Sequence, residues 1–206
     1  MQGLNHYDTF IFDCDGVLLD SNRIKTEAIR ETLASRLSAE QVDAAIDHHV
    51  KNGGTSRYEK FQLYVGTAQE QACLWEYADK IRISYLTCGT IPYVKELLEC
   101  LPDSSKRIVV SGGNQVEVVR ALRSHSIRSH FDVILGSPTT KLDNCESLGR
   151  LGKTVYFGDS ELDFHLAEEM GWDFVFVYGA TEFAEWATFF ADKGILLIED
   201  FMELVE

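Results

Sequence analysis

Two aspartates separated by a single residue are the first feature of this sequence that could do chemistry. Asp13 and Asp15 follow an apolar, β-branched and aromatic run at residues 7–12, and Gly16 comes directly after them. Such a run is typical of a buried strand, so we expect both carboxylates at its carboxyl end. Carboxylates this close repel each other unless a cation or a protonation event separates their roles. Both could equally be turn residues ahead of the glycine.

A division of labour between the two carboxylates would suit phosphoryl transfer. A hard divalent ion such as Mg²⁺ prefers oxygen ligands. We expect Asp13 to contact the metal and to attack phosphorus as a nucleophile. Asp15 would act as general acid for the leaving alcohol and then as base for water, and its backbone carbonyl would contact the metal.

Two further polar sites follow later apolar runs. Ser111 and Gly112 end one run and precede a predicted helix, where free amides and a hydroxyl could bind phosphate, although a bare turn explains them as well. Lys141 follows the next run; it could neutralise a phosphate oxygen and hold the attacking carboxylate, or lie on the surface, as most lysines do.

A second acidic pair follows the run at residues 154–157. Asp159 comes where the chain leaves this predicted strand, and it is the expected third metal contact. Asp163 lies four residues further on, one turn along a predicted helix. It could bind the ion through water or cap the local backbone.

The elements that must position these residues alternate along the second half of the chain. We predict strands at residues 107–110, 131–135, 154–157, 173–177 and 195–197, and helices at residues 93–101, 115–123, 142–148, 162–170 and 182–190. This alternation indicates an α/β fold with a doubly wound parallel sheet covered by helices on both faces. In such sheets ligands bind outside the carboxyl ends of the strands, which is where the polar sites fall.

A different pattern occupies the region between the first strand and this alternation. Apolar residues at helical spacing predict helices at residues 24–37, 39–50 and 69–85, and glycines interrupt them. We therefore expect an all-helical domain at residues 21–88, inserted into an α/β core made of residues 1–20 and 89–206.

Taken together, the motifs resemble the haloacid dehalogenase superfamily. They come in the family's order and span the chain: Asp13-Cys14-Asp15-Gly16-Val17-Leu18-Leu19-Asp20-Ser21, Ser111, Lys141, and Gly158-Asp159-Ser160-x-x-Asp163. The likeness is to the phosphoglycolate phosphatase and β-phosphoglucomutase subgroup, whose core is Rossmann-like and whose helical insert is a cap of the first type. It implies an Mg²⁺-dependent phosphatase that forms an aspartyl-phosphate on Asp13 and acts on a small phosphorylated metabolite, for example a sugar phosphate.

The resemblance also directs attention to three lysines and an arginine. In related phosphatases a proline follows the motif lysine, whereas Leu142 follows Lys141 here. Lys153 is a second candidate, but it precedes a predicted strand and would lie on the wrong side of the sheet, so we expect Lys141. Caps in the family select the leaving group, which makes Arg57 and Lys51 candidates for substrate specificity, although both could be ordinary surface charges.

Other functions remain open from the sequence. Dehalogenases of the family lack the second aspartate, so Asp15 favours phosphoryl transfer. A sugar phosphomutase is the nearest alternative, and a phosphonate hydrolase would need an additional lysine as imine former, for which Lys25 is the candidate. A phospho-receiver or an inactive binding module on this fold would be a different class of protein.

Composition limits the partners and the compartment. The 206 residues are 45% hydrophobic and carry a net charge of −14, which argues against nucleic acid as a partner. Five cysteines without a Cys-x-x-Cys pair fit a reducing cytoplasm. No export signal precedes the first strand, and no apolar run approaches the ~20 residues that cross a bilayer, so we expect no membrane partner. The sequence does not indicate an oligomeric state.

Overall fold

A six-stranded parallel sheet forms the core of the computed structural model, which describes residues 4–205. Its order is β3-β2-β1-β4-β5-β6, which places β1 in the middle. The strands are β1 (Thr9–Phe12), β2 (Lys106–Asn114), β3 (Val133–Ser137), β4 (Thr154–Gly158), β5 (Asp173–Val177) and β6 (Leu196–Ile198). The predicted fold class, a doubly wound parallel sheet, is confirmed.

Both faces of the sheet are buried, which explains why the strands read as continuous apolar runs rather than as alternating ones. Phe10 and Phe12 of β1 pack into one apolar cluster, whereas Ile11 packs into another on the opposite face. Phe12 also stacks on Phe157 of β4, with ring centroids 4.8 Å apart. The central strand is thereby fixed from both sides, and so is the point at which it ends.

Four helices, here called the helical insert, lie between β1 and the helix that precedes β2. They are α1 (Asn22–Leu33), α2 (Ala39–Lys51), α3 (Arg57–Val65) and α4 (Thr67–Thr87). Leu19 and Thr90 form an antiparallel bridge, so the chain leaves the sheet and returns to it side by side. Leu19 and Thr90 lie within two residues of the predicted boundaries 20/21 and 88/89, and the division into two domains stays a prediction. Residues 1–3 and 206 of the predicted core lie outside the described residues.

Helix α3 was not predicted from the sequence. The Ser56 hydroxyl accepts a hydrogen bond from the Tyr58 amide at its start, and Gly66, with φ of +71°, ends it. This short helix buries a mixed face, because Arg57, Lys60 and Phe61 are its buried residues. Charges on the inner face conceal the apolar periodicity that sequence reading relies on.

The remaining helices are α5 (Val94–Cys100), α6 (Gln115–Ser124), α7 (Lys141–Ser147), α8 (Glu161–Met170), α9 (Trp186–Phe190) and α10 (Met202–Val205). The first four lie close to the predicted positions, α9 is shorter than predicted, and α10 was not predicted. A 3₁₀ turn at Arg128–His130 precedes β3. Within residues 4–205, no helix combines the length and apolar character needed to span a membrane.

Candidate active site

Three buried aspartates meet at the carboxyl edge of the sheet, where β1 lies between β2 and β4. Asp13 directly follows β1, and its amide donates to the Phe157 carbonyl oxygen of β4 at 2.9 Å. Carboxylate oxygens of Asp13, Asp159 and Asp163 lie within 4.8 Å of one another. The parallel register brings together residues that are about 150 positions apart in the chain because both strands end at one edge.

A tight turn after Asp13 directs the chain away from this cluster. The Leu18 amide donates to the Cys14 carbonyl at 2.9 Å, which closes a single helical turn. Gly16 has φ of +78°, and a Cβ at this position would collide with the Asp159 carboxylate. Glycine is therefore required here for two reasons, the left-handed backbone and the close approach of a site residue.

Lys141 lies between two of the three carboxylates. Its Nζ is 2.8 Å from Asp13 Oδ1 and 2.6 Å from Asp163 Oδ1, and all three side chains are buried. Asp163 also accepts hydrogen bonds from the Tyr156 hydroxyl at 2.8 Å and the Ser160 hydroxyl at 2.6 Å. Three donors thus occupy Asp163, whereas Asp13 Oδ1 has no well-aligned hydrogen bond within the described residues. Lys153 lies instead at the opposite end of β4 and is half-exposed.

Asp15 turns toward the helical insert rather than toward the three-carboxylate cluster. Ser21 Oγ donates to its Oδ1 at 2.6 Å, and Lys25 Nζ lies 2.5 Å from its Oδ2. Burial opposes ionisation of Asp15, but the Lys25 charge and the two hydrogen bonds outweigh it and lower its pKa. Burial likewise opposes the charge on Lys25, yet Asp15 raises the pKa of that amine. An ammonium is not nucleophilic, which argues against Lys25 as an imine former.

The last part of β2, residues 111–113, provides backbone donors near the carboxylates. Pairing between β2 and β3 shifts register between Val110 and Asn114, which frees the intervening residues from the ladder. Ser111 is fully buried, and its Oγ accepts a hydrogen bond from the Gly113 amide at 3.0 Å. A Cβ on Gly112 would overlap the Gly54 carbonyl, so the helical insert contacts this segment backbone to backbone.

A cavity of about 80 Å³ separates the helical insert from the sheet edge. Its wall includes five of the predicted site residues: Asp13, Asp15, Gly112, Asp159 and Arg57. Three others, Ser111, Lys141 and Asp163, are buried behind that wall. Lys51 is exposed at the end of α2 and does not line the cavity.

Several residues that line the cavity were not among the residues predicted to bind substrate or metal. Lys25, His49 and Lys60, all from the helical insert, line the cavity. Lys60 lies three residues after Arg57 and one before the fully buried Phe61, which places all three on one face of α3. That spacing is the signal that could have identified Lys60.

The buried charges at the sheet edge do not balance. Asp13, Asp159 and Asp163 face a single lysine, Lys141. Burial raises the pKa of Asp13 to about 7 despite Lys141, with added repulsion from Asp163 and Asp15. Burial, together with the charges of Asp13 and Asp163, raises the pKa of Asp159 well above its ordinary value. The cluster therefore favours a cation with oxygen ligands.

Comparison with known proteins places this architecture among hydrolases. The family model for haloacid dehalogenase-like hydrolases matches residues 7–171. No curated protein matches the sequence at a significant level.

Solved structures match the chain over almost its whole length. A predicted phosphatase from Clostridium acetobutylicum is 20% identical, with 97% of this chain and 96% of that chain covered and a TM-score of 0.75. A predicted phosphoglycolate phosphatase from Haemophilus somnus is 20% identical, covers 98% of both chains and has a TM-score of 0.73. A haloacid dehalogenase-like family protein from Streptococcus pneumoniae is 16% identical, covers 97% of both and has a TM-score of 0.70. At these identities the likeness establishes the fold.

Proposed function

The chain belongs to the haloacid dehalogenase-like hydrolase family, and we propose that it is an Mg²⁺-dependent phosphatase that hydrolyses a small phosphomonoester through an aspartyl-phosphate on Asp13. One observation carries the proposal. Asp13 is buried at the cavity wall, between Lys141 at 2.8 Å and the carboxylates of Asp159 and Asp163. A carboxylate repels an anionic substrate unless cations beside it offset the negative charge.

The residues present fit a hard divalent cation. Asp13 and Asp159 would hold Mg²⁺ through carboxylate oxygens, and Asp15 through its backbone carbonyl. Carboxylate oxygens of Asp13, Asp159 and Asp163 lie within 4.8 Å of one another, and a hard divalent ion prefers oxygen ligands of this kind. The ion supplies positive charge to the phosphoryl oxygens. We infer that Asp163, whose oxygens already accept three hydrogen bonds, holds Lys141 in place rather than the metal directly.

Asp13 is proposed as the nucleophile. Lys141 favours the ionised form of Asp13 and so partly offsets the effect of burial on its pKa, and its charge reduces repulsion of the incoming phosphoryl group. The Ser111 hydroxyl and the Gly112 amide, freed from the strand ladder, would bind the phosphoryl oxygens. Attack by Asp13 on phosphorus breaks the bond to the leaving alcohol and leaves an acyl phosphate on the protein.

Asp15 is proposed to move the proton in both steps. It lines the cavity two residues from the nucleophile. Because its pKa is lowered, it would first take up the acidic proton of a phosphomonoester monoanion and then give that proton to the leaving oxygen. In the second step the same carboxylate takes a proton from water, which attacks phosphorus and releases Asp13. Ser21 and Lys25 hold the Asp15 side chain by hydrogen bonds that would have to exchange as the proton moves.

We further propose that residues 21–88 act as a cap over a core of residues 1–20 and 89–206. Support comes from the Leu19–Thr90 bridge, which keeps the two connections side by side, as a hinge requires. The close approach of Gly54 to Gly112 supports a cap that can close on the core. Closure excludes bulk water from the reacting groups.

Phosphate release from p-nitrophenyl phosphate tests the proposal. With Mg²⁺ the wild type should turn over, EDTA should abolish activity, and Mg²⁺ in excess should restore it. Asp13→Asn should reduce the rate by at least ~10³-fold, on the order of the effect of removing a nucleophile. Asp79→Asn, which alters an exposed aspartate of α4, should leave it unchanged. Full activity in Asp13→Asn would refute the nucleophile, and activity after complete metal removal would refute the metal site.

A further inference from the structure

The cations around the cavity differ in one respect, the presence of a carboxylate partner. Lys25 pairs with Asp15, Arg57 with Glu117, and Lys141 with Asp13 and Asp163. Among residues 4–205, no carboxylate oxygen lies within 4 Å of Lys60 Nζ. We propose that Lys60 binds a second anionic group, a carboxylate or a further phosphate, carried by the leaving group of the substrate. This inference rests on the proposed phosphatase function and names its substrate class.

Lys60 is positioned as a donor into the cavity. Its side chain is only 3% exposed, and it lines the cavity. Nζ lies 2.8 Å from His49 Nδ1 and 3.2 Å from the His49 carbonyl oxygen. An ammonium has three N–H donors, so these two acceptors leave one donor for a ligand. Neither acceptor is charged: the carbonyl is neutral, and burial, with the charge of Lys60, lowers the pKa of His49 to about 2 and keeps its ring neutral.

A chain of hydrogen bonds fixes the position of Lys60 and the tautomer of His49. The Thr26 hydroxyl donates to Glu182 Oε2 at 2.5 Å, so its oxygen is free to accept from His49 Nε2 at 3.1 Å. With the proton on Nε2, His49 Nδ1 must accept, and Lys60 is its donor. Three elements of the fold therefore fix the position of the lysine. An ordinary surface lysine is not held in this way.

No carboxylate among residues 4–205 pairs with Lys60, and a substrate with a second anionic group would supply a partner. Burial, with repulsion from Lys141 and Lys25, lowers the pKa of Lys60 to about 7, and Glu59 and Glu182 only partly oppose this. An isolated buried cation is unfavourable unless it is paired. In the proposed mechanism the phosphoryl group binds at Asp13, so we assign the counterion of Lys60 to a different group of the same molecule.

A matched set of substrates tests the inference by phosphate release. Phosphoglycolate carries a carboxylate, ethylene glycol bisphosphate carries a second phosphate, and 2-hydroxyethyl phosphate is the neutral counterpart of similar size. We expect kcat/KM of the wild type to favour one of the two anionic compounds over the neutral one by about 10- to 100-fold, the order that hydrogen bonds to charged groups support. Comparison of kcat/KM for the two anionic compounds shows whether the second anionic group is a carboxylate or a phosphate.

Variants of two lysines test whether Lys60 causes the preference for an anionic substrate. Lys60→Met should reduce the ratio of anionic to neutral kcat/KM at least ~10-fold, mainly through KM, and Lys60→Arg should restore part of it. Lys51→Met changes an exposed lysine outside the cavity and should keep the wild-type ratio. A wild-type ratio near one, or an unchanged ratio in Lys60→Met, overturns the inference while phosphatase activity stands. Failure of the wild type on every compound, p-nitrophenyl phosphate included, overturns the proposed function instead.

Discussion

The ion pair between Arg57 and Glu117 connects the helical insert to the core beside the cavity. Arg57 Nη1 donates to Glu117 Oε1 at 3.0 Å and Nη2 donates to Oε2 at 2.5 Å, a bidentate arrangement. The guanidinium also lies 4.5 Å from the centre of the Tyr77 ring. Because Glu117 belongs to α6 and Arg57 to α3, breaking this pair should weaken the closed arrangement as well as the fold.

The two partners differ in exposure, and this difference sets the expected magnitudes. The Arg57 side chain is 7% exposed, whereas that of Glu117 is 26% exposed. Losing one partner of a fully buried pair costs about 3–5 kcal/mol, and exposed pairs contribute at most about 1 kcal/mol. Glu117→Gln leaves a buried cation and should cost about 2–3 kcal/mol. Arg57→Met leaves a carboxylate that water reaches, and it should cost about 1–2 kcal/mol.

Urea unfolding of both single variants and the double variant, combined with KM for the preferred substrate, checks this reasoning. The coupling energy should be at least about 1 kcal/mol, and KM should rise up to ~30-fold where closure loses about 2 kcal/mol. The control is the pair Arg82–Asp79 on α4, whose side chains are 67% and 79% exposed; it should show a coupling below about 0.5 kcal/mol. An equally small coupling for Arg57 and Glu117, or a larger effect of Arg57→Met than of Glu117→Gln, would refute the reasoning.

Three further outcomes are expected. Gly16→Ala should lower the unfolding free energy and the activity more than Gly194→Ala does, because both glycines have positive φ but only a Cβ at position 16 would meet a site carboxylate. Gly194→Ala should lose only the backbone cost of about 1–2 kcal/mol. Urea unfolding and phosphate release measure the two effects. Lys141→Met should abolish hydrolysis and lower the unfolding free energy by about 3–5 kcal/mol, against less than about 1 kcal/mol for the exposed Lys153→Met. Between pH 7 and 8.5 the wild type should gain stability relative to Lys60→Met by up to about 1.4 kcal/mol per pH unit. The folded chain, with a Lys60 pKa of about 7, has released a proton that the unfolded chain still binds. No change in that difference with pH would contradict the shift.

The sheet was predictable because its strands are short apolar runs buried on both faces, a pattern that does not depend on distant contacts.

The start of α9 was not predictable from the sequence. A helix was predicted from residue 182, but α9 begins at Trp186. Thr181 Oγ1 donates to the Asp159 carbonyl at 2.6 Å and accepts from the Phe183 amide at 3.0 Å. These bonds tie the segment to the candidate site and override its helical pattern, which is information that local sequence does not contain.

Positions at the sheet edge were predictable for a related reason. Asp13 and Asp159 each follow an apolar run directly, and parallel strands deliver such residues to one edge whatever the loops do. No such rule predicts the position of Lys60. Its approach to the cavity depends on the packing of α3 against the rest of the insert. In this packing the rings of Phe61 and Tyr77 meet edge to face, with their centroids 5.6 Å apart. Long-range packing of this kind is set by side-chain shape, so a sequence pattern alone does not reveal it.

Closure and selection depend on the same short helix. Arg57 holds α3 to the core, and Lys60, three residues later on the same face, reaches the cavity. An α-helix that buries Phe61 on this face moves as one body, so the two cations cannot be displaced independently. In the proposed enzyme a leaving group with the second anion would therefore contact Lys60 only when the Arg57 pair is formed. The binding energy of the non-reacting part of the substrate would then favour the closed arrangement in which Asp13 and Asp15 are shielded from water.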